Sequence, residues 1–457
     1  MQTYSLVERK AVCIHMTRAQ FKSASEDDNR TLNHKMKILL DIGQSLMESG
    51  ADCARIIRDM RRAAAHLRIP SDQIQSHVTY TTLMLNVTDG ERSFTQFRKC
   101  MKHGVNLAVI EAISKLTWRI LRGNTPMNAI ESAVHRIWRR PRCYSPLLTA
   151  LGAAAGSGAS CTLFGGSLPE TLIAAIAALV GFSAHRLSIR NEFNPYACAM
   201  IAACAATISA WLIPMLLGCG IMWYALVACT IFLVPGFPII NAASDVISRY
   251  ISSGMTRAID TILIIGGMTF GIAFAILSTG IENISDVHIH PTGDYLSQAF
   301  AAALAALGFS IIFNTPKKLL AIVALEGTLT MLIRNVLMIE CGLSQAVGSF
   351  VAAAVVGISA LKVIHIVHTP NTLLIIPPII PLVPGVLLYR LLFAVLYIQT
   401  ISAEEFLEAL RFGISGITII LAIVVGVSIP NIFIQKRIEA QQQHEISAII
   451  AQRAAEE

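Results

Sequence analysis

Between Thr31 and Arg68, apolar residues recur at helical spacing, at Ile38, Leu39, Ile42 and Leu46 and again at Ile56, Ile57 and Met60, with Gly50 between the two runs. That period predicts a helical hairpin. The stretch from Ile74 to Val87 is rich in Val, Thr and Tyr, with Asp89-Gly90 after it and Phe94 and Phe97 beyond, which predicts strands joined by a turn. Amphipathic helices are expected over Leu107–Leu121 and Met127–Trp138, the second capped by Thr125 with Pro126 at its first position. Residues 35–142 therefore read as a small mixed domain, preceded by a polar stretch, 1–34, expected to be poorly ordered.

After Pro146 the helical period gives way to long runs that are apolar on every face. A bilayer core is crossed by about 20 such residues per helix, and on that criterion about ten spans are expected. Their limits are 146–164, 169–185, 195–213, 216–234, 258–279, 296–314, 318–336, 343–364, 371–396 and 411–434. The fold class that follows is an all-α polytopic membrane body behind a mixed domain. The membrane part divides into 143–280 and 295–434, and a short tail, 435–457, closes the chain.

Composition agrees: 54% of residues are hydrophobic and 14% charged, and the charges crowd before Pro146 and after Asn431. This excludes an ordinary soluble protein. The net charge of +7 is explained by topology rather than by nucleic acid, because the cations sit beside spans and are not interleaved with aromatics. Arg136, Arg139, Arg140 and Arg142 put the amino-terminal domain on the cytoplasmic side. His185-Arg186 with Arg190, Arg249 with Arg257, Lys317-Lys318, Lys362 and Lys436-Arg437 then fall on that side too, so both termini are expected there. The loop from Ile281 to Asp294 carries no Lys or Arg and falls outside. Arg334 and Arg411 fit this pattern less well, near the outer ends of their helices, and are expected to face protein. The ten cysteines form no CxxC pair, so no disulfide framework, metal site or cofactor is read. The amino terminus lacks the order of a secretory signal, which leaves targeting to the first span.

One motif occurs twice. Leu233-Val234-Pro235-Gly236-Phe237-Pro238, near the end of the fourth span, is echoed by Pro381-Leu382-Val383-Pro384-Gly385 within the ninth. Each lies in the fourth member of a set of five. A duplicated unit of odd span number sits upside down relative to its copy, which predicts two five-helix inverted repeats. Proline and glycine there break the helix and free backbone groups that hydrocarbon cannot satisfy. Such breaks survive when packed by protein or when they line a wet cavity, where transported solutes bind.

Charged and polar groups inside the spans complete the candidates. An ionised side chain at mid-bilayer costs about 2.5–3.5 kcal/mol, so Glu326 is expected to face a cavity or a partner, either as a proton-coupling carboxylate or as a structural hydrogen-bonding group. Arg334 and Arg390 can each grip a carboxylate through a bidentate fork, or else snorkel to the interface. Asn241 and Asp245, four apart, share a helix face and can hold an ammonium or a cation, or else cap a helix. In the soluble domain Glu48, Asp52, His66 and His77 are joined by no nucleophile elbow, phosphate loop or metal-ligand spacing. A hydrolase working through this domain is the reading from another class, and a passive channel or scaffold is a third. Gly152, Gly156 and Gly158 offer a small-residue face for contacts within the chain or between copies, so a homo-oligomer stays open.

These residues resemble the threonine/serine exporter family and its split relatives associated with succinate export. Leu40-Asp41-Ile42-Gly43 through Glu48-Ser49-Gly50-Ala51 looks like the family's cytoplasmic signature, and Val234 through Ala242 like its membrane signature. Ile379-Ile380-Pro381-Leu382-Val383-Pro384-Gly385 followed by Tyr389 resembles the companion domain. The resemblance covers roughly residues 35–430. It implies a fused exporter of the bacterial inner membrane that moves amino acids, or alternatively a dicarboxylate, by alternating access driven by the membrane potential or a proton gradient. The expected substrate contacts are Pro235, Gly236, Pro238, Asn241, Asp245, Pro381, Pro384, Gly385, Tyr389 and Arg390, with Glu326 coupling to protons.

Overall fold

The computed structural model describes residues 18–89, 92–123, 125–280, 294–367, 369–399 and 401–455, and the side chains within them other than those of 18–29, 364–367, 389 and 430–455. The Ile281 to Asp294 loop, save Asp294, and the Tyr389 side chain lie outside the described residues.

The amino-terminal domain opens with α1 (Arg18–Glu48) and α2 (Cys53–His66), the expected hairpin. Gly50 turns between them at φ +87°, and a Cβ there would meet the Gly104 carbonyl oxygen at 2.9 Å, so only glycine fits. Strands β1 (Ile74–Val78), β2 (Thr82–Asp89) and β3 (Arg92–Lys99) form an antiparallel sheet in the order β1-β2-β3. Helices α3 (Leu107–Arg122) and α4 (Met127–Trp138) follow. The core joins Met36, Leu39, Ile42 and Leu46 of α1 to Ile56 and Met60 of α2, Leu83 and Leu85 of β2, and Ile110 and Ile113 of α3. One cap differs from expectation: α4 has Pro126 at its N-cap with no side-chain bond. The carbonyl of Thr125 instead meets His66 Nε2 at 2.8 Å, tying the start of α4 to the end of α2.

The membrane part contains α5 (Pro146–Leu163), α6 (Leu168–Arg190), α7 (Pro195–Leu216), α8 (Trp223–Ala228), α9 (Gly236–Ile247) and α10 (Ile251–Thr279). A second set follows as α11 (Tyr295–Ile312), α12 (Leu320–Ile339), α13 (Gln345–Val367), α14 (Asn371–Ile379), α15 (Gly385–Leu396) and α16 (Ala403–Ala455). Short 3-10 turns at Ile231–Leu233 and Ile380–Leu382 lead into α9 and α15, and another at Lys317–Leu319 leads into α12. Among the described residues, seven helices are long and apolar enough to cross a bilayer, or nine when each bent pair counts as one span. The protein is thus mostly helical and multi-pass. The helix that separates nine from the expected ten is α5, whose Ala, Gly and Ser residues make it less apolar than the others.

Three expected limits shift, the tenth span starting at Ala403 rather than 411. The fourth span starts at Trp223 and runs through the bend to Ile247, because Gly218 and Gly220, at φ +70° and +73°, end α7 and turn the chain before it. The fifth starts at Ile251 rather than 258.

Each set packs internally in one pattern. In the first, α5 packs on α6, α6 on α7, α7 on α10 and α9 on α10, while α8 packs on α5 and α6. In the second, α11 packs on α12, α12 on α13, α13 on α16 and α15 on α16, while α14 packs on α11 and α12. Between the sets α5 meets α11, and the exchange is reciprocal where α10 meets α15 and α9 meets α16. At the α5–α11 contact, a Cβ on Gly308 would fall 2.5 Å from the Gly152 carbonyl oxygen and 2.6 Å from the Gly156 nitrogen. Gly158 faces Ala175 of α6 in the same close manner. The small-residue face of α5 therefore seats neighbours within the chain.

Candidate functional site

Both Pro-Gly motifs adopt one backbone form. Pro235 lies at φ −79°, ψ 57° and Pro384 at φ −82°, ψ 58°, each closed by a 2.8 Å bond from the following glycine N–H to the carbonyl of the preceding valine. This is an inverse γ-turn. It bends the two pairs, 223–233 with 236–247 and 371–382 with 385–396, by 57° in each case. The turns also touch one another: a Cβ on Gly236 would meet Ile380 Cδ1 at 2.9 Å, and one on Gly385 would meet both Val234 methyls at 2.7 Å. Pro235, Gly236, Pro381, Pro384 and Gly385 are thus brought together at the junction of the two sets, and Pro238 follows within the first turns of α9.

Asn241 and Asp245 share a face of α9, as their spacing implies, and that face holds the amino-terminal domain. Asn241 Nδ2 donates to the Gly50 carbonyl at 2.7 Å, and Asp245 Oδ1 accepts from the Cys53 N–H at 2.9 Å. Arg257 of α10 stands 3.4 Å from Asp245 Oδ2 and donates to the Ala51 carbonyl at 3.3 Å. Phe237 closes over Gly50, its Cε1 3.3 Å from where a Cβ would sit. The segment 48–51 and the segment 234–242, singled out separately in the sequence, are two sides of one contact. Burial and the Asp245 carboxylate together push the Cys53 thiol up to about 12. Arg55, two residues further along α2, donates to Asn371 Oδ1 at 2.9 Å and to Thr372 Oγ1 at 2.5 Å. The first turn of α2 therefore bridges both bent pairs. Sequence spacing carried no signal for this Arg55 contact, because its partners lie more than three hundred positions away.

Beside the clasp, Arg257 lies 5.2 Å from the ring of Tyr80, which stacks on His103 with centroids 4.0 Å apart. Tyr80 and Tyr196 hydroxyls each donate to Asp260 at 2.9 Å. Burial, and after it Arg257, hold His103 below the ordinary histidine range.

A second polar region lies inside the later set. The buried face of α12 carries Glu326, Thr330, Arg334 and Asn335. Glu326 is 5% exposed; its Oε1 accepts from the Ser359 hydroxyl, and its Oε2 is buried without a hydrogen-bond partner among the described residues. Gly327 beside it packs against Ala306 of α11, whose Cβ lies 2.5 Å from where a Cβ would sit, with the Pro378 Cα of α14 at 3.9 Å. Arg334 is 7% exposed and turns inward, donating through Nε and Nη2 to Asn335 Oδ1 at 3.0 and 2.9 Å, while Asn335 Nδ2 donates to Gln298 of α11. No carboxylate among the described residues pairs with Arg334 in a salt bridge, and Ser349 of α13 has an unpartnered buried hydroxyl. Arg390 lies elsewhere, its guanidinium 5.2 Å from the Phe412 ring of α16, and Arg411 is exposed.

The tempting residues of the amino-terminal domain have local duties. Asp52 caps α2 through the Arg55 N–H at 2.8 Å, Glu48 accepts from Gln44, His66 holds Thr125, and His77 is exposed. Asp41, Glu131 and His135 bring possible metal ligands within 4.8 Å of one another. Asp41 is, however, paired with Arg98 at 3.1 Å, and Glu131 with Lys37 at 2.8 Å and His34 at 3.0 Å.

A family model for the threonine/serine exporter matches residues 37–278, the domain and first set together. The chain belongs to the threonine/serine exporter family. A second model, described as Threonine/Serine exporter, ThrE, matches residues 298–433, the later set. The family's relatives include a "Probable threonine/serine exporter" of Mycobacterium tuberculosis, 22% identical over 79% of this chain and 70% of that protein. A "Threonine/serine exporter" of Corynebacterium glutamicum is 22% identical over 80% of this chain and 76% of that one. The "Probable succinate transporter subunit YjjP" of Escherichia coli is 23% identical over 54% of this chain and 95% of its own length. No solved structure matches.

Proposed function

We propose that this family member is a secondary active exporter of small carboxylate-bearing metabolites, threonine and serine foremost, working by alternating access at the bacterial inner membrane. The observation that carries this reading is the buried face of α12, where a carboxylate with a free oxygen and a guanidinium without a carboxylate partner share one membrane helix. Eight residues of helix separate them by about 12 Å along the axis, too far for one amino acid to bridge. They serve as separate stations. Arg334 receives the substrate carboxylate, and Glu326 carries the proton whose movement supplies work, about 2.3 kcal/mol per charge per 100 mV. The matched packing of the two sets, their identical turns and their reciprocal contacts support an inverted repeat with α5 as the tenth crossing. The Pro-Gly turns that meet between the sets are the pivot.

Succinate is the second substrate reading, favoured by the relative named as a succinate transporter subunit. Purified protein in liposomes, assayed for counterflow of threonine, serine and succinate in parallel, separates the two. Glu326→Gln is expected to abolish dependence of net flux on an imposed proton gradient while leaving counterflow, and Arg334→Gln to raise the substrate KM about tenfold or more through loss of a charged hydrogen bond. Net flux through Glu326→Gln that still follows the gradient would remove the coupling role.

A further inference from the structure

Where α3 and α4 meet the membrane part, the structure holds a cavity of ≈ 750 Å³ that the transport reading does not use. Its walls are lined by Lys115, Arg119, Arg136, Arg140, Lys317 and Lys318, against the single carboxylate of Glu111. Glu111 Oε1 accepts from Lys115 and Lys318, each at 2.7 Å, and from Thr369 at 3.0 Å, which fixes two of the cations and joins α3 to the starts of α12 and α14. Arg119, Arg136, Arg140 and Lys317 have no ion-pair partner among the described residues. Burial, and also the nearby Lys318, hold the Lys115 ammonium below the ordinary lysine range against the pull of Glu111.

The cavity's height is set by its other lining residues. Cys143 stands three residues before the first residue of α5, and Pro316 and Lys317 open the helix that continues as α12. Trp138 is 45% exposed and Leu147 68% exposed on either side of that entry. An exposed tryptophan followed by exposed leucines marks the level where headgroups give way to acyl chains. Basic pockets at that level between membrane helices hold phosphate-bearing headgroups.

We infer that this cavity is a binding site for a phosphate-bearing anion, either the headgroup of an anionic phospholipid or a soluble phosphate ester. Its occupant neutralises the excess cations and thereby clamps the amino-terminal domain onto the second set of helices.

Cys143 reports occupancy in the unaltered full-length protein. Its maleimide modification, quantified by peptide mass spectrometry with exposed Cys341 as internal reference, is to be measured in three settings. These are phosphatidylcholine nanodiscs, nanodiscs that also contain phosphatidylglycerol, and phosphatidylcholine nanodiscs with soluble glycerol phosphate. Slower modification of Cys143, but not Cys341, with phosphatidylglycerol alone supports a headgroup site. Slowing with glycerol phosphate supports a soluble ligand at the same site. Protection is expected to weaken about fivefold in affinity for each cation removed in R119Q, R136Q, R140Q and K317Q, none of which breaks the Glu111 clasp. Equal rates in all three settings, or protection undiminished in these variants, would overturn the proposal, and neither result bears on transport through Glu326.

Discussion

A methyl group added to Gly385 would land 2.7 Å from both methyls of Val234, and one added to Gly236 would land 2.9 Å from Ile380 Cδ1. The fit is mutual, so the cost of a methyl on one side should fall when the other side shrinks. G385A is expected to lower stability by about 1–3 kcal/mol through overpacking, and V234A in the same chain to recover most of it. Thermal unfolding of the detergent-solubilised single and double variants measures the coupling, and simple additivity would mean the turns do not meet as described. At this scale the sequence was informative where chemistry is local. Proline lacks an N–H and glycine lacks a Cβ, so the two breaks were legible in the chain itself. What faces a residue was not: spacing put Asn241 and Asp245 on one face, but nothing in it said that the face would be taken by Gly50 and Cys53. Arg334 illustrates the same limit, since its place near a helix end suggested snorkelling as readily as the inward bond to Asn335 that it makes.

At the level of elements, the first turn of α2 couples the amino-terminal domain to both bent pairs. Asp245→Asn would leave Arg257, itself buried, without its counter-charge, which costs about 3–5 kcal/mol when one partner of a buried pair is lost. The loss should fall on docking of the domain, seen as faster amide exchange at Cys53–Arg55 and along α9. It should also expose the Cys53 thiol, which burial and the Asp245 carboxylate now hold at about 12 and therefore inert near neutral pH. Unchanged exchange and an unreactive Cys53 in the variant would show that the clasp is held elsewhere. The Glu111 clasp gives a pH test with a definite sign. Burial alone would raise this carboxyl, but hydrogen bonds from Lys115 and Lys318 prevail and hold it below its ordinary 4.5. A depressed carboxylate stabilises fully above its unfolded value and loses that contribution as pH falls through the folded value. Docking of α3 on the membrane part should therefore be constant from pH about 6 to about 4.5 and weaken below that, as amide exchange in α3 will register. The helices of this domain were legible because each has one apolar face, whereas the membrane helices, apolar all round, left their ends to be fixed by glycine turns such as Gly218 and Gly220.

For the whole molecule, parity turns on α5. It is the one helix of the first set that falls outside the seven spans and two bent pairs. Yet its amino end meets the loop before α12, where the Cys143 N–H and Tyr144 hydroxyl donate to Asn314 Oδ1 and the Thr315 carbonyl at 2.8 and 2.7 Å. Past its far end, Gly166 abuts Tyr224, whose N–H also meets Glu170. Among the described residues, the segments at Asp245–Arg257, Asn314 and Thr369–Thr372 bind the amino-terminal domain, on the side of the near end of α5. If α5 crosses, the loops holding Cys219 and Cys341, both exposed, emerge on the face opposite the domain, while Cys143 stays on the domain's side. If α5 does not cross, the parity of every later helix reverses, and Cys219 and Cys341 return to the side of the domain. A membrane-impermeant maleimide applied to intact cells should therefore modify Cys219 and Cys341 and spare Cys143 until the membrane is opened. All three cysteines behaving alike, spared together or modified together, would remove the tenth crossing, and with it the odd-membered units on which an inverted repeat depends.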